Sequence, residues 1–481
     1  MEDNVIMEGI LKEFEGLAKH PRPSRHEEEV SNYIMERLAE LGIQGRQDEV
    51  FNIIADVPAT KGKEAVPLTI LQGHMDMVCV AKPGVAYDPL KDPIRLKLDG
   101  TVLSADGTSL GADDGMAIAI ALFLIQQDIE HGPLRLIFTV DEETGMTGAI
   151  HLDPRYVADA TYVINCDSES LDVIAVGSAG SVHTHFCRSL TREAVASNAA
   201  LTVKAADFLG GHSGETINRG KSNAVKAVAA VLQRLAAAGI DYRLAEITGG
   251  VAANAIPEEA AAVIVLDQSD VAAAMRAAVE EEKEIATVYG AVEKKATVHA
   301  APCALPADTF SAADTKAVVD LITLLHCGVF AMNQQLPTLP DLSASLGTIR
   351  TEKDTVKIQY FPRSSADARL LEFARTLPVL ARLTGFSVDM EQPEPAWTAN
   401  PQSTLTPLMA ASFRSVTGRE ARIEAMHGGL ETGYLFAMNP KLDIVSVGPT
   451  THAIHSADES VELDTAATLV RIIIDILGKL K

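Results

Sequence analysis

Five short segments carry side chains able to share one reaction. In Gly73-His-Met-Asp-Met-Val78, His74 stands two residues before Asp76, the spacing at which strand side chains point the same way. A carboxylate beside an imidazole fixes its tautomer and raises its basicity as a ligand. Gly111-Ala-Asp-Asp-Gly115 stands at the mouth of an apolar run, where Asp113 suits either a helix cap or a ligand. Thr139-Val-Asp-Glu-Glu-Thr-Gly145 sets adjacent acids after an apolar segment. Such carboxylates repel one another unless cations neutralise them, a solvated acidic turn being the other reading. Asn165-Cys-Asp-Ser-Glu169 repeats the arrangement with Asp167, and His455 follows Gly448-Pro-Thr-Thr451. Imidazoles mixed with carboxylates suit zinc, manganese or cobalt, and a carboxylate shared between two ions is the pattern of a two-metal hydrolase.

These segments need a scaffold that ends strands beside one another. Apolar runs at 68–71, 134–140 and 162–165 alternate with helical patterns, among them one over 115–127, and predict a doubly wound α/β sheet with its site at the strand ends. Two helices precede them. Val5, Ile6, Ile10, Phe14 and Leu17 share a face of the first, and Ser24 with Glu27 reads as a capping box for the second. Over 181–393 the order becomes β-α-β-β-α-β around Ala-rich helices, then a less complete second set that includes one helix over 365–383. The expected organisation is a catalytic domain in two parts, 1–180 and 394–481, interrupted by a two-lobed, ferredoxin-like α+β lid at 181–393.

Composition removes other classes. Lys plus Arg total 41 against 65 Asp plus Glu, a net charge of -24 that disfavours nucleic acid and anionic membrane as partners. The longest apolar run, 116–125, is too short for a membrane span. The acidic start lacks the pattern of a signal peptide, and five scattered cysteines fit reduced thiols. Together these predict a cytoplasmic location.

The ordered set GHMDMV, GADDG, DEETG, NCDSE, GGHSG, NAIP, HGGLE and HS resembles the co-catalytic metallopeptidases of the aminoacylase and carnosinase type, most closely their dipeptidase branch. The likeness runs from Pro21 past His455. It implies a zinc-peptidase-like sheet, one metal on His74, Asp113 and Asp167, and a second on Asp113, Glu143 and His455. Asp113 would bridge, through a cis peptide to Asp114. Asp76 would orient His74, and Glu142 would be the general base for a water made acidic between the two cations. His212, in Leu209-Gly-Gly-His-Ser-Gly214, would donate to the developing oxyanion, and Asn254 would contact the substrate. Arg363 would clamp the substrate's C-terminal carboxylate, and Glu431 would meet its free amino group. Two departures leave side-chain preference open: Glu258 replaces the usual basic residue after Pro257, and Leu342-Ser-Ala-Ser-Leu-Gly347 has no Asn.

The expected activity is hydrolysis of unblocked dipeptides, aminoacyl-histidine among them, with two divalent ions, zinc foremost. The alternatives are an N-acyl amino acid amidohydrolase of the same superfamily and a catalytically silent binding homologue. The second lobe is expected to stand where relatives use a partner subunit's lobe, so a homodimer is possible but not needed for chemistry.

Overall fold

The computed structural model describes residues 2–334 and 336–481. The chain forms two compact units, one from Met1–Ser178, Trp397–Ala425 and Leu430–Lys481, the other from Ala179–Ala396 and Met426–Gly429.

The first unit is built on an eight-stranded sheet ordered Gly45–Gln47, Ile53–Val57, Leu134–Thr139, Thr69–His74, Tyr162–Asn165, Asp443–Ser446, Val173–Ala175, Arg422–Glu424. Its four central strands, from Leu134–Thr139 to Asp443–Ser446, run parallel, so their C-terminal ends share one edge. Strands Thr69–His74 and Leu134–Thr139 are buried throughout, as parallel strands covered on both faces must be. The cover includes helix Ala112–Leu124, apolar all round and almost wholly buried, packed with helices Asp3–Leu17 and Leu463–Lys479. Ile6, Ile10, Phe14 and Leu17 of the first helix are buried as expected, but Val5 is 52% exposed.

The capping box does not form. Helix Glu28–Glu40 has no side-chain cap. Ser24 Oγ donates instead to Asp76 Oδ2 at 2.8 Å, and Glu27 Oε1 accepts the amides of Arg25 and Asp141. Ser24 is taken by a partner distant in sequence, and Glu27 is shared between a neighbouring amide and a distant one.

The second unit carries a ten-stranded sheet with a principal path of two antiparallel quartets. The first is Thr297–Pro302, Ala199–Ala206, Ala260–Leu266, Tyr242–Gly249, and it holds helices Ala224–Ala237 and Val271–Val288. The second is Pro340–Glu352, Thr355–Ser364, Thr184–Ser189, Ser387–Met390. Each has the β-α-β-β-α-β order. The second set is therefore complete, because its first strand, Thr184–Ser189, lies upstream of the whole first set. The single helix read over 365–383 is two, Asp367–Ala374 and Leu377–Thr384. Pro378 lacks an amide hydrogen and is tolerated only in a helix's first turn. Among the described residues no helix is long and apolar enough to cross a membrane, and all five cysteines are free.

Candidate metal centre

The parallel strands deliver His74, Glu142, Glu143 and Asp167 to one edge of the first unit, while Asp113 comes from helix Ala112–Leu124 and His455 from a separate hairpin. His74 is the last residue of its strand and 1% exposed. Asp167 stands two residues beyond Tyr162–Asn165, and Glu142 and Glu143 open the short helix Glu142–Gly145 just after Leu134–Thr139. His455 adopts a left-handed backbone, φ 58°, in the turn between the strands Thr451–His452 and Ser460–Glu462. Asp113 and Asp114 are joined by a cis peptide and interrupt the helical backbone.

Asp113 lies between the two imidazoles. Its Oδ1 is 3.2 Å from His74 Nε2 and its Oδ2 is 3.3 Å from His455 Nε2. Glu143 Oε2 is 2.9 Å from His455 Nε2, and Asp167 Oδ1 is 3.8 Å from His74 Nε2. Donor atoms at this spacing fit around divalent ions with bonds of about 2.0–2.2 Å. Among the described residues, two ligand triads have all their donor atoms within 4.8 Å: His74 with Asp113 and Glu143, and His74 with Asp114 and Asp167. Asp114 is the neighbour that sequence reasoning left out. It is 2% exposed, and its Oδ2 accepts the His74 amide at 3.3 Å.

The protonation balance reflects the crowding of buried carboxylates. Burial, reinforced by Asp114, holds Asp167 well above the usual carboxylate range. Burial also raises Glu142, with Glu143, Glu431 and Asp113 adding to it against His74. Burial opposes charge on His74, yet its bonds to Asp113 and Asp76 lift it well above an ordinary imidazole. Bonds to Asp113 and Glu143 push His455 up to about 11. A divalent cation offsets the same excess of negative charge.

Much of what holds the centre lies outside the motifs. Asp76, fully buried, accepts the amides of Glu142 and Glu143 at 3.0 and 3.2 Å, so it fixes that turn as well as facing His74 Nδ1 at 3.4 Å. Arg22 Nη1 donates to the Met75 carbonyl at 2.8 Å and its Nη2 to that of Gly111. A β-carbon on Gly111, whose φ is 72°, would collide with that guanidinium. Glu459, and not Asp113, receives the amides that open helix Ala112–Leu124: Leu110 and Gly111 on Oε2, Ala112 and Asp113 on Oε1. Glu459→Ala strands those buried donors. It is expected to cost about 1–3 kcal/mol or more, read as a lower melting temperature, and to weaken metal retention.

Glu431 is 1% exposed in the first unit. Its Oε2 accepts from Gln72 at 2.7 Å and Thr139 at 2.5 Å, its Oε1 has no partner, and burial pushes it up to about 7. His212, Asn254 and Arg363 belong to the second unit. The strands Gly211–His212 and Ala255–Ile256 pair, and the Ser213 amide donates to the Asn254 carbonyl at 2.8 Å, so the GGHSG and NAIP motifs form one structure. His212 Nδ1 accepts the Glu215 amide at 3.2 Å. Arg363 is 4% exposed, in strand Thr355–Ser364.

Known proteins share both sequence and fold. The chain is 32% identical over 482 residues to the cytosol non-specific dipeptidase of Escherichia coli (strain K12), covering 97% of this chain and 96% of that one. It superposes on the crystal structure of aminoacylhistidine dipeptidase from Vibrio alginolyticus with a TM-score of 0.87 and 30% identity, over 98% and 96% of the two chains. Human carnosine dipeptidase 1 shares the fold alone, with a TM-score of 0.52 and 12% identity over 99% and 98%. The profile of Peptidase family M20/M25/M40 matches residues 70–479. The chain is thus a peptide hydrolase that belongs to peptidase family M20/M25/M40.

Proposed function

We propose that the protein is a two-metal dipeptidase acting on unblocked dipeptides, aminoacyl-histidine among them. The observation that carries this reading is Asp113, whose two oxygens each face a different imidazole, as a carboxylate bridging two cations requires. The relatives named as dipeptidases support the substrate class. His74, Asp113 and Asp167 would hold one ion, and Asp113, Glu143 and His455 the other. Zinc suits these donors best, and manganese and cobalt accept them too. When bound, the cations supply Lewis acidity that brings the pKa of water from about 15.7 towards 7 and polarises the scissile carbonyl.

The residues do the rest. Glu142 takes the proton of the attacking water and passes it to the departing amine nitrogen as the C–N bond breaks. Asp76 keeps His74 in one tautomer and holds the Glu142 turn. His212 donates to the oxyanion, Asn254 contacts the substrate beside it, Glu431 answers the free amino group, and Arg363 takes the carboxylate. Chelation followed by reconstitution with each metal, assayed on a dipeptide library, tests the whole reading. Hydrolysis of dipeptides only when metal is restored supports it; a preference for N-acylated amino acids, or no turnover with metal bound, overturns it.

Arg363→Ala is expected to lower kcat/KM for free-acid dipeptides by about 30-fold or more, as loss of a buried charge-assisted pair does, and to change their C-terminal amides little. Equal losses on acid and amide would remove Arg363 from this role.

A further inference from the structure

The second unit buries a cation that forms no ion pair among the described residues. The Nε of Arg363 has no partner, and the guanidinium makes no ion pair among the described residues. It lies over the Phe361 ring at 4.3 Å, and Glu394 and Glu215 act on it only at a distance. A buried, unpaired guanidinium is costly, and an incoming anion relieves that cost.

Its neighbour on the sheet holds a ring with an unpaired nitrogen. Ser343 stands directly opposite Arg363 in the strand register, and residues so paired share a face of the sheet. Ser343 Oγ is 2.7 Å from His427 Nε2, which brings that imidazole to the same face. His427 is 4% exposed, and its Nδ1 has no partner. Burial, then the charge of Arg363, lowers its pKa to about 3, so the ring is neutral and carries one N–H. The backbone there is tightly packed against the GGHSG turn: a β-carbon on Gly214 would collide with the His427 carbonyl and stand 3.1 Å from His212 Cε1.

We propose that His427 is a second recognition group for the substrate's C-terminal carboxylate, its Nδ1–H and the Arg363 guanidinium taking the same carboxylate while Ser343 acts as the positioning residue. The Ser343 hydroxyl donates to Nε2 and so places the ring proton on Nδ1. A neutral donor beside the guanidinium adds a directional bond without burying a second positive charge. Two convergent donors also reject a carboxamide or a continuing peptide, whose N–H would face them, and this selects dipeptides over longer chains. The inference rests on the role of Arg363 proposed above.

The test uses the full chain, metal-loaded, with a free-acid dipeptide and its C-terminal amide as probes. His427→Phe is expected to lower kcat/KM for the acid about 10–100-fold, mainly through KM, as loss of a hydrogen bond to a charged group does. The amide, which that N–H no longer rejects, should not lose activity, and metal content should stay close to the parent. Ser343→Ala should follow in the same direction, and Ser343→Thr, which keeps the hydroxyl, should restore the preference for acid. If Arg363→Ala erases that preference and His427→Phe leaves it, His427 is no recognition group and the reading of Arg363 stands. If Arg363→Ala leaves it, the carboxylate reading itself fails. Should His427→Phe not fold, the serine pair decides: full acid preference in Ser343→Ala overturns the proposal.

Discussion

Glu142→Gln is expected to reduce kcat by about 10²–10⁴-fold or more while the protein keeps its metal. The substitution preserves size and removes only the ability to accept and return a proton. The Glu142 amide, bound to Asp76 Oδ1 at 3.0 Å, is untouched, so the turn that also presents Glu143 keeps its place. Glu143 contacts His455, whereas Glu142 has no bond to either imidazole of the cluster. Metal content measured on the purified variant should therefore match the parent, and KM should move far less than kcat. Activity retained in a fully metal-loaded Glu142→Gln protein would remove Glu142 as the base, and loss of metal would make it a ligand instead.

The chemistry of this chain was legible because its donors are clustered within short motifs, three of them at or just after strands that are themselves readable as apolar runs. His74, Asp167 and Glu143 arrive at one edge because parallel strands end together there. The supports were illegible for the opposite reason. Glu459 meets the amide of Leu110 across 349 positions, and nothing local at either end announces the partner. The Ser24 and Glu27 pattern misled because the same two side chains satisfy a local cap or a distant partner equally well. Here Ser24 joins the donors around the Asp76 carboxylate, and Glu27 takes the buried amide of Asp141. In the second unit the order of elements hid strand Thr184–Ser189, since pairing partners separated by an intervening β-α-β-β-α-β set leave no trace in local periodicity. His427 and Ser343 were unremarkable singly, and their meeting depends on the register of two long strands.

Asp113→Ala is expected to lower the bound metal from two ions to fewer than one per chain, where Asp167→Ala or His455→Ala should each spare one site in part. The reason is geometric. Asp113 is the carboxylate whose separate oxygens stand 3.2 Å from His74 Nε2 and 3.3 Å from His455 Nε2, so its loss takes a ligand from both ions at once. It also leaves the remaining acids around each ion without their shared neighbour. The backbone should hold, because Glu459 receives the surrounding amides and a methyl side chain changes none of those bonds. Elemental analysis of the purified variant, with the melting temperature as a control for folding, gives the answer. The competing assignment uses Asp114, which shares a triad with His74 and Asp167. Asp114, however, already accepts the His74 amide, and a β-carbon at Gly73 would stand 2.5 Å from its Oδ2, so the side chain is wedged against the strand. Asp114→Asn, which can keep that amide bond through its carbonyl oxygen, should accordingly retain both ions. If Asp113→Ala kept two ions while Asp114→Asn lost them, the bridging role would pass to Asp114.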